Sequence, residues 1–263
     1  MLRFICFLTL FSLTTILMAQ SDTTALASDR PTQTASAFLV PKGTVQIESG
    51  FSWSTTKLGF NGFAEVSEDL ITYNSTQIRF GVSKNLELLF SQSLVGSRVD
   101  DGVNQTETET EAIPTAIGAR IHLFDMNDRG RPQTSFLVTL GGPLLSDIES
   151  GSTIDMRFNM QHNLGDAASL GYNIGGTVNG EFDSFIGNVS VVLGYTTSSK
   201  LTLFAELYMT FPELTDSFLQ SDFGLLYSVS PNFQVDIFGG LGISRFTADS
   251  LIGAGVAIRI PGK

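Results

Sequence analysis

From Thr44 onward, apolar and polar residues alternate almost one for one, the period of a strand with one apolar and one polar face. The clearest run is 232–245, with Phe233, Val235, Ile237, Leu241 and Ile243 on one side and Gln234, Asp236 and Ser244 on the other. Phe238 is its one exception. Segment 201–211 repeats the pattern, Leu201, Leu203, Ala205, Leu207, Met209 and Phe211 alternating with Thr202, Glu206, Tyr208 and Thr210. Read to its end, the alternation predicts twelve strands, over 44–56, 70–82, 85–96, 112–125, 133–144, 152–164, 168–180, 185–197, 200–211, 217–229, 232–245 and 249–260. Most run to eleven to fourteen residues. That is long against the roughly 5–6 of a soluble sheet, but matches the roughly 9–11 that a tilted strand needs to cross a hydrocarbon layer.

The connections alternate as well. Ser83-Lys84, Gly165-Asp166, Ser198-Ser199 and Ser230-Pro231-Asn232 are tight turns, with Asp125 to Pro132 the longer member of that set, whereas 57–69 and 97–111 are longer loops. Short turns on one side and long loops on the other are the outer-membrane arrangement, which puts both termini in the periplasm for an even strand number. Closure follows because lipid offers no partners to the N–H and C=O groups of an open sheet edge. A soluble sandwich or lipocalin-like barrel also alternates, but its outside carries charges at about a quarter to a third of positions. Here only 16% of residues are charged, mostly in loops and on the polar strand face. The fold expected is all-β, a transmembrane antiparallel up-and-down barrel of about twelve strands.

The long apolar run Phe4 to Met18 follows Arg3 and precedes Ala19-Gln20, the layout of a signal peptide. At fifteen residues it falls short of the roughly 18 a helical span needs. The chain therefore divides into a signal peptide over 1–19, a Ser-, Thr- and Ala-rich leader without periodicity over 20–43, and a barrel over 44–263. Cys6 is the single cysteine and falls in the signal peptide, which excludes a disulfide framework and a Cys-containing metal site from the mature protein. With two histidines in the chain, neither a metal nor a cofactor is expected. A net charge of -11 without clustered Lys or Arg excludes a nucleic-acid partner.

The stretch Asp29-Arg30-Pro31-Thr32-Gln33-Thr34-Ala35-Ser36, then Val40-Pro41-Lys42-Gly43 and Val45-Gln46-Ile47-Glu48-Ser49-Gly50-Phe51, closely resembles the opening of a family of bacterial outer-membrane transporters named for a MetA pathway of phenol degradation. Phe80-Gly81-Val82-Ser83-Lys84-Asn85-Leu86-Glu87-Leu88, Leu203-Phe204-Ala205-Glu206-Leu207-Tyr208 and Ser230-Pro231-Asn232-Phe233-Gln234-Val235-Asp236 extend the resemblance over nearly the whole mature chain. It implies a Gram-negative outer-membrane barrel that passes small, hydrophobic or aromatic, compounds. The partners so implied are outer-membrane lipids, the solute and the barrel-assembly machinery. Two features depart from such barrels. The chain closes on Ile258-Arg259-Ile260-Pro261-Gly262-Lys263 where they usually carry a terminal aromatic residue, and its aromatics are 21 Phe against one Trp and five Tyr, whereas membrane interfaces favour Trp and Tyr.

If the apolar face meets lipid, the opposite parity faces the lumen and places Glu48, Arg79, Glu87, Arg120, His122, Asp155, Arg157, Glu206, Asp222, Asp236 and Arg259 inside. Four arginines then face six acids, and charges in a partly wet pore need partners to offset desolvation. Such a network either holds the barrel open and in register or forms a constriction that filters solutes. About eight strands leave an interior filled by side chains and 16 or more an aqueous channel, so twelve predicts a narrow pore or one plugged by residues 20–43. In a plug, Arg30 would pair with Glu87 or Asp236, Phe38-Leu39-Val40 would form an apolar tip, and Pro41, which cannot donate to a ladder, would mark the entry to strand one. A structural barrel without transport is the alternative. A membrane-embedded lipid hydrolase would set His and Ser two apart on one strand face. Neither His122-Leu123-Phe124 nor His162-Asn163-Leu164 does so, and no enzyme is expected.

Overall fold

The computed structural model describes residues 26–60, 65–102, 104–107, 110–113, 115–127, 129–142, 151–179, 184–212, 217–244 and 247–262. The expected signal peptide and the first residues of the leader lie outside this set. All regular structure among the described residues is strand: β1 (Val45–Phe60), β2 (Glu65–Ser83), β3 (Leu86–Asp100), β4 (Gln105–Glu107), β5 (Glu111–Ala112), β6 (Thr115–Phe124), β7 (Gln133–Gly142), β8 (Thr153–Asn163), β9 (Ala168–Asn179), β10 (Phe185–Thr196), β11 (Leu201–Pro212), β12 (Phe218–Ser230), β13 (Phe233–Gly242) and β14 (Ser250–Ile260). Each strand of the ring pairs antiparallel with its neighbours, β3 passes to β6, and β1 pairs with β14 from Val45–Ile260 to Thr55–Ser250. With β4 and β5 lying on the upper part of β3, twelve strands close a barrel without a free edge, as lipid requires.

Alternation locates all twelve ring strands, but the long side differs from expectation in two places. The loop expected over 57–69 is mostly ladder, β1 and β2 pairing as far as Phe60 and Glu65. Within 97–111, β3 continues to Asp100 and meets β4. These extensions carry consecutive polar residues, as in Ser67-Glu68-Asp69, so no apolar alternation marks them. Cross-strand contacts hold them instead: Asp69 accepts from Thr55 at 2.7 Å and from Arg98 at 2.8 Å, and the Arg98 guanidinium lies 5.8 Å from the Trp53 ring centre. The strand expected over 112–125 is split between Ala112 and Thr115.

Burial is inside out relative to a soluble protein. On β13, Ile237 is 56% exposed and its neighbour Asp236 4%. The most enclosed large side chains are Arg79, Arg120, Gln46, Glu48 and Glu87, while Leu203, Leu207, Phe223, Leu241 and Ile252 face outward. Apolar surface left outside and charge drawn inside fit lipid around the barrel and a polar lumen. Phe204 and Phe238 break the parity. Phe204 is buried on the polar face of β11, and Phe238, the exception on β13, turns inward to within 6.0 Å of the Arg30 guanidinium.

Candidate functional site

Register across β1, β2, β3 and β6 brings four charged side chains onto one patch of wall. Glu87 and Arg120 stand opposite each other, as do Gln46 and Arg79. Arg79 donates from Nε and Nη2 to the two oxygens of Glu87 at 2.8 and 3.1 Å, and from Nη1 to Glu48 at 3.0 Å. A forked guanidinium matched to a carboxylate in this way makes the strong form of a hydrogen-bonded ion pair. Glu48, Arg79, Glu87 and Arg120 are all buried.

Residues 26–41 contain no strand, yet their hydrogen bonds go to the inward side chains of strands from all round the ring. Glu48 Oε2 on β1 accepts from the Ser28 hydroxyl and the Asp29 and Arg30 amides at 2.8, 2.9 and 3.1 Å. Arg120 of β6 donates to Asp29 Oδ2 at 2.6 Å, and Arg79 of β2 lies 3.5 Å from Asp29 Oδ1. Arg79 also donates to the Ala27 and Phe38 carbonyls at 2.9 and 3.0 Å, while Val40 N–H donates to Glu87 at 2.6 Å. On the opposite wall, Glu206 of β11 accepts the Gln33 and Thr34 amides at 2.9 and 2.6 Å and the Thr34 hydroxyl at 2.5 Å. Asn173 of β9 clamps Ala35 from both sides, accepting its N–H at 2.7 Å and donating to its carbonyl at 3.1 Å. Arg30 pairs with Asp236 of β13 at 3.1 Å. At the carboxylates Glu48, Glu87 and Glu206, leader backbone amides that no ladder occupies find acceptors, as buried amides must.

Arg30 sits in a slot made by glycine. A Cβ on Gly50 of β1 or Gly255 of β14 would come within 2.1 and 2.3 Å of the guanidinium, so only a bare backbone leaves room for it. Gly81 of β2 does the same for the Pro41 carbonyl, which a Cβ there would approach to 2.1 Å. Pro41 then ends the segment: its carbonyl accepts from Thr44 N–H at 3.0 Å, and β1 begins at Val45.

Burial raises the Asp29 carboxyl, but the Arg120 guanidinium and then that of Arg79, with the Ser36 amide donating at 2.8 Å, outweigh it and hold the group at about 2.

Of the lumen residues expected from parity, Glu48, Arg79, Glu87, Arg120, Glu206 and Asp236 bind the leader. Asp222 lies beside Glu206 in the β11–β12 register. Asp155 and Arg157 pair with each other at 2.8 Å, with Thr177 donating to Asp155 at 2.8 Å. His122 lies 3.3 Å from Asp125 near the β6–β7 turn, and Arg259 donates to Asn232 Oδ1 and the Pro231 carbonyl at 2.9 and 3.0 Å. Arg30 takes Asp236, leaving Glu87 to Arg79 and Val40. Phe38 contributes its carbonyl to the Arg79 contact. His162 stacks on Tyr172 with ring centres 5.8 Å apart, its Nε2 3.1 Å from the tyrosine hydroxyl. Asn173 and the glycine slot carry no charge or period that alternation could single out.

Between the leader and the wall, at the end of the barrel that carries the tight turns, lies a cavity of about 1060 Å³. Phe204 and Leu226 line it from the wall, Phe38 and Leu39 from the leader, and Lys200 and Arg259 from the turn end.

The barrel is similar to an outer-membrane channel from Pseudomonas putida F1, with a TM-score of 0.64 at 12% identity over 88% of this chain and 99% of that one. It is also similar to the translocator domain of the autotransporter NalP from Neisseria meningitidis, with a TM-score of 0.56 at 13% identity over 84% and 90% of the two chains. The KdgM porin in complex with disordered oligogalacturonate gives 0.52 at 12% identity over 81% and 98%. These likenesses establish the outer-membrane barrel fold. No curated protein matches the sequence. Residues 28–260 match one family model, described as "Putative MetA-pathway of phenol degradation".

Proposed function

The chain belongs to this phenol-degradation family, and from that premise we propose that it is an outer-membrane channel passing small hydrophobic or aromatic solutes through a narrow, charged lumen that its own leader plugs. The observation that carries this reading is the bonding of residues 26–41 to β1, β2, β3, β6, β9, β11 and β13. Only a segment inside the ring can reach strands on every side of it. Residues 1–19 then serve export, 20–43 close the pore from the periplasmic end and 44–263 form the wall. The names of the Pseudomonas channel and of the KdgM porin accord with passage of solutes. Outer-membrane lipids and, during biogenesis, the barrel-assembly machinery are the other partners on this reading, and no catalytic role is assigned to either histidine.

Planar-bilayer conductance tests the reading. Deletion of residues 21–36 removes the contacts to Glu48, Glu206, Asn173 and Asp236 while leaving Arg79 paired with Glu87 and Glu48, so the wall keeps its own network. The deleted protein should show larger single-channel steps than the full chain and still run faster unboiled than boiled on a gel, as a closed barrel does. Unchanged conductance in a folded barrel would make the leader a tether or a partner-binding arm. No conductance from either protein would make the barrel structural.

A further inference from the structure

The cavity at the turn end differs in charge from the chain that encloses it. The protein carries 26 acids against 15 basic residues, yet the described residues lining this cavity include Arg30, Lys200 and Arg259 and no Asp or Glu. Arg30 spends its charge on Asp236, and Arg259 is engaged by Asn232 and Pro231. Lys200 stands exposed on the β10–β11 turn.

A second observation comes from the same wall. Gln234 lines the cavity and is 6% exposed, and its Nε2 has no hydrogen-bond acceptor among the described residues. Buried donors almost always have a partner, and none of the described wall residues supplies one for this amide. Register places the two donors in one row. The Lys200 carbonyl accepts from Ser228 N–H at 2.8 Å, and Ser228 is opposite Gln234. Neighbouring strands are about 5 Å apart, so Lys200, Ser228 and Gln234 follow one another across three strands, and all three line the cavity. The lining also carries apolar side chains, Phe204, Leu226 and Val192 on the wall and Phe38 and Leu39 on the leader, among polar ones such as Thr34, Gln46 and Thr202.

We propose that this cavity is a binding site for a small organic anion with an apolar body, its anionic head on the Lys200–Ser228–Gln234 row and its body between Phe204, Leu226 and the leader's Phe38. The inference rests on the channel reading for its purpose but not for its test. A cationic lining with an unsatisfied donor selects the charge of the solute, and the apolar side chains of the lining select its body. The site lies at the turn end, which is the periplasmic end of such a barrel, so an anion held there sits below the leader and not above it.

Benzoate is the probe, titrated calorimetrically into the full mature protein in detergent, with benzyl alcohol, benzylamine and acetate as comparators. Benzoate should bind saturably at one site, at least tenfold tighter than any of the three, and more weakly as salt is raised. Lys200→Glu, at an exposed turn, should weaken benzoate tenfold or more and leave benzyl alcohol unchanged; Gln234→Leu should weaken it several-fold, with unboiled gel mobility confirming that each variant folds. Equal binding of benzoate and benzyl alcohol, benzoate affinity indifferent to Lys200→Glu, or no benzoate binding would each overturn the proposal. The two readings fail separately. Conductance that rises on leader deletion without benzoate binding sinks this site alone, and benzoate binding to a barrel that never conducts sinks the channel alone.

Discussion

Replacing Arg30 by alanine tests how firmly the leader is held, because the change strands a buried charge. Asp236 has a fully enclosed side chain, and Arg30 meets it through Nη2 at 3.1 Å and Nε at 3.4 Å. Removing one partner of a buried pair typically costs about 3–5 kcal/mol. The Arg30 side chain is 16% exposed and water can enter when it leaves, so the lower end applies, about 3 kcal/mol. At about 1.4 kcal/mol per decade, that raises the undocked fraction of the leader on the order of a hundredfold. Ala37 is 1% exposed on the leader, and Ala37→Cys places a thiol there that reacts with a maleimide only when the segment leaves the wall. Labelling should quicken about a hundredfold in Arg30→Ala, and adding Asp236→Asn should slow it again, because the stranded carboxylate is then gone. The sign of that second step isolates the pair. Labelling that is as slow in Arg30→Ala as in the parent, or faster still in the double variant, would refute the latch.

Ile237 stands midway along β13 and faces outward, so Ile237→Arg should cost roughly 2–4 kcal/mol near the bilayer midplane; urea unfolding in lipid vesicles that shows no loss of stability would contradict the inside-out assignment. For pH, docking lowers the Asp29 carboxyl from 3.8 to about 2, so its contribution is fully present above the undocked value and disappears as pH falls through the docked one. The excess conductance of the leader-deleted barrel over the full chain should therefore persist from pH 7 to about 4 and narrow only toward pH 2, and leader release complete by pH 5 in bilayer recordings would be inconsistent with Arg120 and Arg79 holding that carboxylate.

The alternation of Phe233, Val235 and Ile237 with Gln234 and Asp236 is a local property. A period of two survives any partner the strand finds, which is why the sequence by itself determined that these are strands, that one face meets lipid and that Glu48, Arg79, Glu87, Arg120, Glu206 and Asp236 turn inward. It also determined the positions of the tight turns, because Ser230-Pro231-Asn232 interrupts the pattern chemically. Where polar residues follow one another, as along Ser67, Glu68 and Asp69, the signal disappears although the ladder continues. Which carboxylate Arg30 meets is a different kind of question. Asp236 lies 206 positions away in sequence, and its position relative to the leader depends on the register of every strand between them and on closure through β14 and β1. Only the tertiary structure could choose it over Glu87. The same holds for the glycine slot of Gly50 and Gly255, and for the Lys200–Ser228–Gln234 row: each is assembled from different strands, and a slip of one residue in any of them would turn its side chain to the lipid.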